Sequence, residues 1–325
     1  MKNRREINRR LAEMMREEEY PEVTIIDNDL DSIDTQSPSE WSVLKNDEFA
    51  PSYVSISKVP SGLFEIKWNS SIQALVLSKQ KMNIDELYEL PSPEIESILS
   101  DIRIFWKKRD AYKSYNFVHK RGILLYGDPG CGKSGIIQLC VKSLIEEENG
   151  IVINIKESED FKYFIDFVPT IRTIEPDRPL IVILEDIDSL AGEDQYSTTK
   201  LLNVLDGVKQ IENVVYIATT NYPEKLQERI TNRPSRFDRR YEVQMPSEEI
   251  RRSYIKNKLT EDDMKRVDIE EWVKVTDGMS LSHLKELIIS VVVMGKDFKD
   301  SIGNLTDMKE SPKIKKTTKR MGFGS

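Results

Sequence analysis

Two short segments of this chain hold residue types that could grip and cleave a phosphate chain. The first, Gly127-Asp128-Pro129-Gly130-Cys131-Gly132-Lys133-Ser134, fits G-x-x-x-x-G-K-[ST]. Its glycines let backbone N–H groups turn inward around phosphate oxygens without a Cβ in the way. Lys133 would supply a mobile cation for the outer phosphates, and Ser134 a hydroxyl for Mg²⁺. The second segment, Glu185-Asp186-Ile187-Asp188, follows the apolar run from Leu180 to Leu184. An apolar strand ending in acids delivers carboxylates to the carboxyl edge of a parallel sheet, where a phosphate loop also lies. One carboxylate there can hold Mg²⁺ while another polarises an attacking water. The pattern predicts a site for ATP and Mg²⁺ between Gly127–Ser134 and Glu185–Asp186, with hydrolysis as its chemistry. Asp188 reads as structural or subunit-facing.

Two further features are ambiguous on their own. Asn221 closes the apolar run from Val214 to Thr220. It could cap the turn at Tyr222-Pro223, or orient a water and sense the outer phosphate. Arg233, Arg236, Arg239 and Arg240 put four arginines in eight residues. A surface ion-pair network, a phosphate-backbone contact and an arginine that stabilises a transferring phosphoryl group all fit that cluster.

These groups need a scaffold that brings strand ends together. From Gly122 onward, apolar strand-like runs recur at Ile123–Tyr126, Ile151–Ile155, Leu180–Leu184 and Val214–Ala218, mostly separated by helical stretches. Continuous apolar strands alternating with helices predict a parallel sheet covered on both faces. The fold class is therefore α/β, with the large domain over 116–246. Helical patterns at Ile250–Leu259, Ile269–Val275 and Leu281–Met294 predict a small α-helical lid over 247–300. Upstream, alternation at Tyr53–Ile56, Leu63–Trp68 and Ala74–Leu77 reads as strands. A helix opened by Pro91-Ser92-Pro93-Glu94 follows, so 50–115 reads as a small α+β domain. Residues 1–49 read as a flexible segment: a weak amphipathic helix (Ile7, Leu11, Met14, Met15), then seven Asp or Glu between Asp27 and Glu48. Residues 301–325 read as a disordered basic tail, with five Lys or Arg between Lys313 and Arg320.

Composition narrows the classes of function. Hydrophobic residues at 38% and charged residues at 32% describe a soluble, highly charged protein. A formal charge of −8 argues against a general nucleic-acid coat, although the basic tail could make local phosphate contacts. No run approaches the roughly 18 apolar residues that span a bilayer, and the charged N-terminus does not read as a secretory signal. Cys131 and Cys140 lie at the phosphate loop, where a disulfide would lock a segment that must hold nucleotide. Reduced thiols in a cytoplasm are the expectation. His119 and His283 have no ligand-like neighbours in sequence, so a metal site of protein ligands alone is not expected.

Taken together, RGILLYGDPGCGKS, IVILEDIDSL, STTKLLNVLDG, VVYIATTN and RPSRFDR resemble the AAA+ ATPases, specifically the AAA subgroup. The resemblance runs from Arg121 to Met294. The E-D-I-D order and the lead-in FWKKRDAYKSYNFVHKRG look closest to the Bcs1-like branch, without its membrane-spanning N-terminus. The resemblance implies a P-loop NTPase sheet, ATP with Mg²⁺, and a ring, typically hexameric, that acts on a protein partner. Arg233 and Arg236 match the arginines that reach a neighbouring subunit's γ-phosphate, and Asn221 matches the first sensor. The usual Asp–Glu order is reversed here, which gives Glu185 the metal role and the shorter Asp186 the water role and predicts slower hydrolysis. Gly278-Met279-Ser280-Leu281-Ser282 matches the lid segment near adenine, with Leu281-Ser282 in place of the usual Gly-Ala. Asp128 replaces a common Pro and implies weaker nucleotide affinity. Phe161-Lys162-Tyr163-Phe164 lies where a pore segment would be; it reads either as an aromatic grip on polypeptide or as the buried face of a helix. Two rivals to the motor are a nucleic-acid-associated AAA+ protein (loader or replication accessory) and a slow ATP-gated assembly scaffold.

Overall fold

The structure, a computed structural model, describes residues 40–44, 48–52, 56–81, 92–191, 195–206, 211–226, 230 and 236–310. The expected helix near the N-terminus, Arg233 and the basic tail from Ser311 lie outside the described residues. The chain divides into two compact units, one drawn from 1–87, 93–127 and 133–243, the other from 88–92, 128–132 and 244–325.

The first unit is built on a single sheet. Its strands are β1 (Glu40–Leu44), β2 (Glu48–Ser52), β3 (Gly62–Asn69), β4 (Ala74–Gln80) and β5 (Lys120–Tyr126), then β6 (Ile151–Ile155), β7 (Leu180–Leu184), β8 (Val214–Thr220) and β9 (Arg239–Glu242). Among the described residues they lie in the order β1-β2-β4-β3-β6-β7-β8-β5-β9. The pairs from β3 through β6, β7, β8 and β5 to β9 are parallel, and those joining β1, β2, β4 and β3 are antiparallel. All residues of β7 and β8 are buried. Such two-sided burial is what continuous apolar runs require.

Helices cover this sheet. Helix α1 (Pro93–Lys107) starts on a proline, whose missing N–H costs nothing there, and buries Ile98, Leu99, Ile102, Phe105 and Trp106 on one stripe. Then come α2 (Arg109–Ser114), α3 (Lys133–Glu147), α4 (Asp160–Ile174), α5 (Ile187–Ala191) and α6 (Gln195–Asp206). The face of α4 that carries Phe161, Phe164, Phe167, Val168 and Ile171 is buried in the main core.

Two boundaries differ from the sequence-based expectation. Residues 40–44 and 48–52 are strands rather than flexible linker, with Trp41 and Phe49 buried. The second is the small α+β domain expected over 50–115, whose described strands do not stand apart. β3 pairs in parallel with β6 through Gly62↔Ile151, Leu63↔Val152 and Phe64↔Ile153, so the early strands extend the sheet. A buried polar knot fixes them. Glu175 Oε1 accepts hydrogen bonds from Trp41 Nε1 and Val59 N–H, both at 3.0 Å. Its Oε2 accepts from Arg178 Nη1 at 2.9 Å, and Arg178 Nη2 donates to Val59 O at 2.8 Å. Trp41 also packs on Phe167, with ring centroids 5.8 Å apart.

The second unit is helical: α7 (Glu248–Lys258), α8 (Glu261–Met264), α9 (Ile269–Val275), α10 (Leu281–Ile288), a π-turn at Ile289–Val293 and α11 (Phe298–Glu310). Side-chain oxygens of Ser247, Thr260, Asp268 and Ser280 cap the first four helices. Ile255, Trp272, Leu284, Leu287 and Leu305 share the core. Helix α11 carries order to Glu310, past the 301 boundary expected for the tail, because Leu305 is buried and Trp272 stacks on Phe298 at 5.3 Å.

Candidate active site

Gly127 to Gly132 link β5 to α3, and the backbone explains the glycines. Gly127 has φ 146° and Gly130 φ 79°, values that L side chains rarely adopt. A Cβ on Gly127 would stand 2.3 Å from Val243 O, and one on Gly130 would stand 2.7 Å from Ser280 Oγ. Lys133 is 7% exposed and donates from Nζ to Gly127 O at 2.7 Å, folding its ammonium back on the loop it would share with phosphate. Asp128 and Pro129 are exposed. Within the helical unit, Ser282 N–H reaches Gly130 O at 3.4 Å, while Ser280 Oγ lies 2.7 Å from His283 Nδ1 and caps α10. Both cysteines are buried thiols outside any disulfide: the Cys131 thiol points to Met245 Sδ at 3.6 Å, and burial pushes the pKa of the Cys140 thiol up to about 12.

The acids stand at the ends of neighbouring strands. β7 and β8 run in register to Leu184↔Ala218, so Glu185 and Asp186 emerge beside Thr219, Thr220 and Asn221. Ser134 Oγ donates to Glu185 Oε2 at 3.0 Å. Asn221 Nδ2 donates to Asp186 Oδ1 at 3.2 Å. Asp186 has φ 48°, and its N–H donates to Thr219 Oγ1 at 3.1 Å. Asp188 accepts from Thr220 Oγ1 at 2.6 Å, a structural contact between the two strand ends. A cavity of about 450 Å³ opens next to the acids, lined in part by Asn154, Ser158 and Ser189.

This arrangement fits a hard divalent cation held from one side. A hydroxyl and a carboxylate converge, and oxygen donors suit Mg²⁺. Among the described residues no group of three or more His, Cys, Asp or Glu could hold a metal by itself, so phosphate and water oxygens would have to complete the shell.

Residues 123–245 match the model of the ATPase family associated with various cellular activities, AAA. Over these residues the chain resembles an AAA ATPase domain. It is similar to proteins named proteasome-activating nucleotidases. One from Methanococcus maripaludis is 28% identical over 260 residues, covering 72% of this chain and 59% of that protein. One from Methanothermobacter thermautotrophicus is 27% identical over 252 residues (69% of this chain, 60% of the relative), and one from Thermococcus onnurineus is 29% identical over 227 residues (65% and 52%). The chain thus spans less than two thirds of the length of these relatives.

Within the matched residues, the arginine cluster is not one kind of group. Arg236 is 6% exposed, its Nε is 3.1 Å from Asp206 Oδ2, and its Nη1 is buried with no hydrogen-bond partner among the described residues. In the single chain it therefore turns inward rather than projecting as a finger. The reason is local: Gly122 has no side chain, and a Cβ there would sit 1.8 Å from Arg236 O, so the segment presses directly against β5. Arg239 lies 3.2 Å from Asp101, which also accepts from Tyr241 Oη at 2.8 Å; it is the surface ion pair that the cluster allowed. Phe161 and Phe164 are fully buried and Tyr163 packs against the same core, so the buried-helix alternative describes this segment and the two phenylalanines offer no grip on polypeptide. Sequence reasoning missed Thr219 and Asp206. Thr219 carried a faint signal as a polar residue at the end of an apolar strand, whereas Asp206 carried none.

Proposed function

We propose that this chain is an ATP-hydrolysing AAA+ ring motor that remodels or translocates a protein partner, with each active site shared between neighbouring subunits of a hexamer-like ring. The observation that carries this reading is the Ser134–Glu185 hydrogen bond at 3.0 Å, beside Asp186 and Asn221 on the adjacent strand ends. The name of the relatives supports a protein partner, and the E-D-I-D order favours kinship with the Bcs1-like branch. A reducing cytoplasm belongs to this reading, because a disulfide at Cys131 would lock a loop that must hold nucleotide.

Each residue then has a task. Lys133 exchanges Gly127 O for the outer phosphate oxygens. Ser134 and Glu185 would hold Mg²⁺, which when bound neutralises phosphate charge and templates the in-line geometry. Asp186 orients the attacking water and takes its proton, while Asn221 fixes that carboxylate. Arg233 and Arg236 of a neighbouring subunit stabilise charge on the transferring phosphoryl group. For Arg236 this requires release from Asp206.

Mixing variants tests the shared site. Asp186→Asn should bind ATP and lose turnover by about 100-fold or more. Arg236→Ala should also bind and lose turnover, and the two proteins mixed should regain part of it through hybrid interfaces. Unimpaired ATPase activity in Arg236→Ala would defeat the shared-site reading. Asp186→Asn held in ATP is also the form to use for capturing the protein partner.

A further inference from the structure

Asp186 occupies a backbone conformation that few residues with a side chain accept. Of the described non-glycine residues with positive φ, three are asparagines and one is a glutamine in a turn; Asp186, at φ 48°, is the one the proposed function places against the attacking water. Left-handed residues at functional sites persist when their surroundings over-determine them. Here the surroundings do so from three sides. The Asp186 N–H donates to Thr219 Oγ1 at 3.1 Å. Its carbonyl oxygen accepts from Ser189 N–H at 2.8 Å and Leu190 N–H at 3.1 Å. Its carboxylate accepts from Asn221 Nδ2 at 3.2 Å.

We infer that Thr219 is a positioning residue that locks Asp186 in the left-handed conformation, and that this conformation makes aspartate, not glutamate, the working acid at position 186. The argument rests on the reading of Asp186 as the water-activating group. Thr219 is 3% exposed at the tip of β8, so its hydroxyl has little freedom to turn elsewhere. Aspartate tolerates the left-handed region better than a longer unbranched acid does, because its short polar side chain can bond locally. A glutamate at 186 would carry its carboxylate a methylene beyond Asn221 Nδ2 and lose that bond. The reversed acid order then belongs to the local backbone: Glu185 leaves the strand toward Ser134, and the next residue turns left-handed to face the water. Thr220 does parallel work one residue on, where its hydroxyl donates to Asp188 Oδ1 at 2.6 Å and accepts from Tyr222 N–H at 2.9 Å.

The test is steady-state ATPase kinetics with nucleotide binding measured separately. Thr219→Val keeps the shape and removes the acceptor; kcat should fall about tenfold or more while KM for ATP stays within about twofold. Thr219→Ser restores the hydroxyl and should recover most of kcat. Asp186→Glu, at an exposed position that does not threaten folding, should lower kcat about tenfold rather than raise it. Equal kcat in Thr219→Val and Thr219→Ser, or a kcat in Asp186→Glu at or above the native value, overturns the inference. Asp186→Asn separates the two levels: native turnover in that variant sinks the assignment of Asp186 itself, whereas an inactive Asp186→Asn beside a fully active Thr219→Val sinks only the role of Thr219. Should Thr219→Val fail to fold, Thr219→Ala, which also removes the acceptor, is read in its place against Thr219→Ser.

Discussion

Lys133 and Gly127 hold a contact that a phosphate would have to replace under the proposed function, which makes the lysine a sharp probe of binding. Lys133→Ala should weaken ATP by about 10- to 100-fold, the range for charge-assisted hydrogen bonds, as read by titration with a fluorescent nucleotide. A different residue sets a pH limit. His119 is buried, stacked on Phe105 at 3.9 Å. Burial lowers its pKa below the ordinary 6.5; Phe105 O and Asn213 Oδ1, which face the ring nitrogens, offset part of that effect. In the window below 6.5 the unfolded chain binds a proton that the folded chain resists. His119 thus contributes stability that is complete above that range and lost as pH falls through it. Urea midpoints should drop between about pH 7.5 and about pH 5.5, and drop less in His119→Gln. At this scale the glycine loop and the strand-end acids were legible as a candidate site because their residue types lie in contiguous segments. Thr219 and Asp206 were not, since each earns its role from a partner on another strand or segment.

The elements were legible where burial is two-sided or strictly periodic. β7 and β8 announced themselves as unbroken apolar runs, and α1 by its stripe at helical spacing. Helix α4 is the instructive case. Its aromatic residues fit both an exposed grip and a buried face, because periodicity shows that a stripe exists but not what lies against it. The structure buries Phe161 and Phe164. Phe164→Ala should therefore cost about 3–5 kcal/mol of stability in urea denaturation, the range for truncating a core phenylalanine. A variant of native stability with altered polypeptide handling would reverse that conclusion.

At the scale of the molecule, the early strands became part of the one sheet of the first unit. Glu175 and Arg178 are buried as a pair, side chains 3% and 6% exposed, and bind Trp41 and Val59 from more than a hundred residues away. Removing one member leaves the other charge uncompensated, so Glu175→Ala should destabilise the first unit by about 3–5 kcal/mol. Loss of β1 to β4 from protection in hydrogen exchange, alongside the lower midpoint, would identify the knot as what holds them.

The sequence by itself determined the local patterns: a glycine-rich loop between strand and helix, acids at a strand end, an α/β core and a helical region after it. Each depends on neighbours within a few residues, through backbone conformation, side-chain alternation or helical period. Tertiary structure alone decided that β3 pairs with β6, that Arg236 is held inward by Asp206, and that Asp186 is locked left-handed by Thr219. Those outcomes depend on which hydrogen-bond donor meets which acceptor across the sheet, and the spacing of residues along a chain carries no record of that meeting.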